Sequence, residues 1–145
     1  MAYGIVFLIG LVSFGYSAEQ VLNPLAGVRR SHIQGNVPVE FDQVLKRDLT
    51  TYFQELNKDV LTVQYELLRN TPSQVGVGSP KYYIWVKIYG QKGMIDEGAV
   101  KVAAEAKKLF VVLTFEAIAD LKKSPEQIDR IFPLSVGDKI RSRLK

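Results

Sequence analysis

The 145-residue sequence predicts an α+β fold in which one long helix packs across a curved antiparallel sheet. Three observations carry this. Phe41, Leu45, Leu49, Tyr52 and Leu56 recur at spacings of three and four, a single apolar stripe, with Asp42, Lys46, Arg47, Asp48 and Glu55 between them as a solvated face. From Leu61 the period becomes two, with Leu61, Val63, Tyr65 and Leu67 alternating with Thr62, Gln64 and Glu66. Later alternating segments are joined by short polar or glycine-containing turns, and no strand–helix–strand unit of a parallel sheet is visible.

The elements follow in chain order. Residues 1–18 carry no charged side chain, hold an apolar run over 5–12, and end on Gly15, Ser17 and Ala18. This is the pattern of a secretory signal peptide cleaved near Ser17 or Ala18, and it implies an exported, extracellular protein. The run is short of the roughly 20 apolar residues a membrane span needs, so a membrane anchor is the weaker reading. Residues 19–145 then form a single domain, a length that buries a core without covalent staples. Its first part, to Asn36, contains Pro24, Gly27 and Gly35 and reads as an extended arm.

Pro38 opens the helix, because a proline in the first turn removes an N–H that has no helical partner there. The helix ends near Asn57 and Lys58, and a first strand covers 61–67. Residues 73–80, with Gly76, Gly78 and Pro80, form a turn, yet they include Val75 and Val77, apolar side chains that a plain connector does not need. In the next strand, 81–89, Tyr82, Ile84, Val86 and Ile88 should pack on the helix. Tyr83, Trp85, Lys87 and Tyr89 form the opposite row, read as a sheet face with cross-strand pairs.

Residues 91–97 read as a polar turn. Residues 99–107 stay open between strand, from the alternation of Val100, Val102 and Ala104, and helix, from their alanine, lysine and glutamate content. Residues 108–118 form a strand with Leu109, Val111, Leu113 and Phe115 on one face. Residues 121–127 are a turn or a helix start, and 128–136 an irregular strand or a short helix ending before Pro133. The chain closes on a short basic tail from Gly137, with Lys139, Arg141, Arg143 and Lys145.

Little of this composition suits bond chemistry. The absence of cysteine removes thiol catalysis, disulfides and cysteine zinc sites, and the single histidine, His32, leaves no histidine pair for a metal. Gly76 and Gly78 lead into a strand rather than a helix, unlike a phosphate loop. The carboxylate pairs Asp96/Glu97 and Glu116/Asp120 read as surface charges. The net charge of +4 is too dilute for a nucleic-acid stripe. The expectation is a protein that is not an enzyme and uses no cofactor, metal, nucleic acid or membrane.

The order of parts points further. Gln74-Val75-Gly76-Val77-Gly78, followed by Lys81-Tyr82-Tyr83-Ile84-Trp85-Val86, resembles the Q-x-V-x-G hairpin and Y-Y-x-x-V strand of the cystatin superfamily. Pro24-Leu25-Ala26-Gly27 is similar to the family's glycine-containing arm, and Glu55-Leu56-Asn57 to its E-x-N at the helix end. The sequence departs from the family at Gly76, where the central valine is expected, and at Val28, where a second glycine is expected. It also lacks the Pro-Trp of the second hairpin, Leu121-Lys122-Lys123-Ser124-Pro125 standing in that place.

The resemblance implies a cystatin-like fold and a secreted, reversible inhibitor of papain-like, cathepsin-type cysteine proteases. Leu25, Ala26 and Gly27 of the arm, together with Gln74, Val75, Gly76, Val77 and Gly78, would wedge into the active-site cleft. The alternatives are a non-inhibitory cystatin-like binding module, which Gly76, Val28 and the missing Pro-Trp favour, and a ligand carrier or enzyme on the same kind of fold.

Overall fold

The computed structural model describes residues 36–73 and 78–145. Helix α1 runs over Phe41–Leu56 with Glu40 as its cap, so Pro38 lies before the helix and not in its first turn as expected. It buries Leu45, Leu49 and Phe53, with Phe41, Val44 and Tyr52 half-buried beside them. The stripe expected from sequence therefore needs one correction, since Leu56 is 64% exposed and Phe53 takes its place. Residues four apart form a continuous ridge along a helix, and the ridge 45–49–53 is the one that meets the sheet. The helix closes with the Asn57 N–H donating to the Phe53 carbonyl. Asn57 Oδ1 then accepts from the Asp59 N–H at 2.9 Å, turning the chain toward the sheet.

The sheet is an antiparallel meander of four strands in the order β1-β2-β3-β4, so the protein is α+β. They are β1 (Thr62–Leu67), β2 (Lys81–Gly90), β3 (Gly93–Glu105) and β4 (Leu109–Ala117). Val63, Tyr82, Ile84, Val86, Ile88, Val100, Val102, Ala104 and Phe110 face α1 and form the first core with it. The even row of β2 thus packs where its alternation places it. The ambiguous segment 99–107 is strand to Glu105, because its alternation matches a two-sided burial that helix propensity cannot override. The turn expected over 91–97 is shorter, since Gly93 already begins β3. Gly98 is required inside that strand, because a Cβ there would lie 2.2 Å from the Glu116 carbonyl oxygen of β4.

β4 corrects a second expectation. Leu109, Val111 and Leu113 remain 39–46% exposed, whereas Phe110 is buried and Val112 and Phe115 pack on the first core. The register explains it. Val102 pairs with Val112 and Lys101 with Thr114, so Leu113 is an extra residue in β4. One inserted residue moves every later side chain to the opposite face. Phe115 therefore faces inward although Leu109, Val111 and Leu113 do not.

The second face of the sheet is covered by three short helices, α2 (Ile118–Lys123), α3 (Glu126–Ile131) and α4 (Leu134–Arg143). Leu121, Ile128, Phe132, Val136 and Ile140 bury Leu68, Tyr83, Trp85 and Ala99 in a second core. The odd row of β2 is a sheet face with cross-strand pairs, as expected, and its Tyr83 and Trp85 are in addition buried under this helical layer, while Lys87 stays exposed. Of the readings left open for 128–136, the short helix ending before Pro133 is the one formed. The basic tail is also corrected. Its residues form α4, with Val136, Gly137 and Ile140 buried, while Arg141 pairs with Asp129 and Asp138. No helix among the described residues is long and apolar enough to cross a membrane.

Candidate functional site

Three separate stretches of chain are hydrogen-bonded together at one end of the sheet. The Lys107 N–H donates to the Asn36 carbonyl at 3.0 Å, fixing the segment before α1 against the β3–β4 turn. The Ala104 N–H donates to the Pro80 carbonyl at 2.9 Å, and the Ser79 hydroxyl donates to Glu105 at 2.7 Å. These bonds hold the end of the long β1–β2 loop, residues 68–80, against the same turn. Phe41 stacks edge-on against Tyr82 and Phe110 just behind, each at 5.0 Å between ring centroids, so the start of α1 is seated there too. Meander topology produces this convergence, because β1–β2 and β3–β4 connections leave an antiparallel sheet at the same end.

The loop is built in two stages. Leu68 extends the pairing of β1 by one residue, its N–H donating to the Tyr83 carbonyl at 2.8 Å. Ser73 then pairs with Lys81 through two backbone bonds of 2.9 and 3.1 Å, an isolated bridge that forms the stem of the loop. The Ser73 hydroxyl and the Tyr83 phenol lie 2.6 Å apart and lock the stem to β2. Gly78 has φ +116°, a conformation that residues with a Cβ rarely adopt, so glycine is required there.

Of the residues expected to bind a partner, Gly78 is described, in the loop just before Ser79 and Pro80. Leu25, Ala26, Gly27, Gln74, Val75, Gly76 and Val77 lie outside the described residues, as do His32 and the expected signal segment. The site contains one stretch that sequence reasoning missed, the tight turn Ala106-Lys107-Lys108. Ala106 and Lys107 both have positive φ, at 50° and 61°. No glycine or asparagine marks the turn, and its lysines read as helix formers. The place given by sequence to a second hairpin, residues 121–125, is instead the end of α2 with Ser124 and Pro125 linking it to α3, and Leu121 is fully buried in the second core.

The groups singled out for chemistry are engaged elsewhere. Glu97 accepts the Trp85 indole N–H at 3.1 Å, and Asp96 accepts the Glu97 N–H at 2.8 Å. Burial first, and the charge of Asp120 second, raise Glu116 above the ordinary carboxylate range. An open cleft of about 500 Å³ lies beside the β2–β3 turn, lined by Asn57, Lys58, Asp59, Leu61 and residues 90–95, so it is separate from the bonded end. Between α1 and the sheet, Phe53 is set edge-on against Phe115 at 4.8 Å between ring centroids.

No family model, no curated protein and no solved structure matches this chain.

Proposed function

We propose that this protein is a secreted, reversible inhibitor of papain-like cysteine proteases. It would act by filling the active-site cleft with its N-terminal arm, the loop 68–80 and the turn Ala106-Lys107-Lys108. The supporting observation is the bonded convergence of Asn36, Ser79, Pro80 and Lys107 at one end of the sheet. A cleft-filling wedge needs several chain segments held side by side, because independent loops would each lose conformational freedom on binding. Helix followed by four-strand meander is also the order of parts that the resemblance to cystatins implies. Such a protein blocks a protease by occupying the cleft and presents no scissile peptide to the thiolate.

One feature favours a second reading, a cystatin-like binding module that does not inhibit. The turn tip carries Lys107 and Lys108, where a cleft-filling tip calls for apolar contact. Titration of the full chain against papain separates the two. Stoichiometric, reversible loss of peptidase activity supports the inhibitor. Full activity at a large excess of well-folded protein sinks it in favour of the module.

A further inference from the structure

We infer that α4 braces the start of the β1–β2 loop at Leu68, beside its Ser73–Lys81 stem, and that Lys139 is its positioning residue. The functional weight of this inference rests on the reading of that loop as a docking element. The Lys139 ammonium donates to the Leu68 carbonyl at 2.7 Å, at the point where the loop leaves the sheet. The Leu68 side chain is 1% exposed and packs in the second core with Val136 and Ile140, both on α4. Two residues before it, Glu66 pairs with Arg143 at 2.8 Å, and the same guanidinium lies 5.3 Å from the Trp85 ring centroid. One helix therefore grips the outgoing foot of the loop through a buried side chain, a carbonyl and an ion pair.

The stem of the loop, where Ser73 pairs with Lys81, stands on the same layer. Ser73 is bonded to the Tyr83 phenol, and the Tyr83 ring meets Phe132 edge-on at 6.2 Å between ring centroids. Phe132 lies between α3 and α4 in the chain. The start of the loop is thus held directly by α4, and its stem through Tyr83, which rests on Phe132. Holding the two sides of a loop together limits the conformations open to the chain between them, so less freedom is lost when a partner docks on it. A helical layer behind the sheet, which no docking edge requires for its own sake, thereby acts on the geometry of one loop.

The test uses the full chain and the variants Lys139→Met and Lys139→Arg. Methionine keeps the aliphatic packing and removes the donor, whereas arginine keeps a cationic donor. Lys139→Met should speed amide exchange at Leu68, Ser73 and Lys81, whose N–H groups hold the loop feet, by about tenfold, leave exchange in α1 and central β3 unchanged, and raise the inhibition constant for papain. Lys139→Arg should restore both. Unchanged exchange at the loop feet would overturn the brace. So would an equal rise across α1 and β3, which marks general loosening. The exchange measurement needs no protease. If the parent chain fails to inhibit papain, the inhibitor reading falls and the brace is still decided by exchange alone.

Discussion

At the scale of single residues, the informative contacts are those that join elements distant in sequence. The Tyr65 phenol of β1 hydrogen-bonds to Asp42 in the first turn of α1. Burial first, then that hydrogen bond and the carboxylate charge, hold the phenol proton well above its ordinary value of 10.0. The folded protein therefore keeps a proton that the unfolded chain loses near pH 10, and the native state binds more protons above that point. Stability tied to this group is complete below pH 10.0 and declines as the pH rises further. Urea unfolding across this range should show a steeper alkaline loss for the parent than for Tyr65→Phe. Tyr82, raised by burial alone, contributes the same background to both. Parallel pH profiles for the two proteins would mean that Tyr65 does not hold its proton in the fold.

At the scale of elements, β4 is where one inserted residue decides which side chains are core. Alternation without the bulge groups Leu113 with Phe115, and the register instead places Leu113 46% exposed and Phe115 against Phe53. Phe110→Ala should cost about 3–5 kcal/mol, the range for emptying a buried aromatic site, while Leu113→Ser should cost less than about 1 kcal/mol. Comparable losses in chemical unfolding would show the exposed row of β4 to be covered, contrary to the register. The start of β4 is protected differently. Asp48 accepts the Phe110 N–H at 2.7 Å and Arg47 donates to the Lys108 carbonyl at 3.1 Å, so α1 occupies the first free backbone groups of this edge strand. This limits strand addition at the end where the turn Ala106-Lys107-Lys108 is presented.

At the scale of the whole molecule, the sheet is a shared wall between two cores. α1 closes one face and α2, α3 and α4 close the other. If α4 were only a charged tail, Ile140→Ala would fall within the roughly 0.5 kcal/mol typical of surface changes. Because Ile140 is fully buried, the loss should instead be about 2–5 kcal/mol. Denaturant titration followed by the emission of Trp85, the single tryptophan and a member of that second core, reads the change directly.

The sequence by itself determined α1, the extents of β1 and β2, the row of β2 that meets the helix, and the requirement for glycine at a turn near residue 78. Each is written in local periodicity or in a single residue's conformational range, so neighbours along the chain suffice to read it. Tertiary structure alone decided the rest. Whether residues 99–107 were strand depended on pairing partners, because alanine and lysine do not express a preference strong enough to settle it. The bulge at Leu113 is invisible to alternation, since it shows only as a mismatch between two strands. The tail became a helix because Val136 and Ile140 had a surface to bury against, namely the aromatic row of β2, which local sequence left without a cover. The same holds for the candidate site. Its loop was legible from its glycines and from the valines that the sequence sets between them, while its partner turn at Ala106-Lys107-Lys108 and the brace at Lys139 exist only because distant segments are folded onto one another.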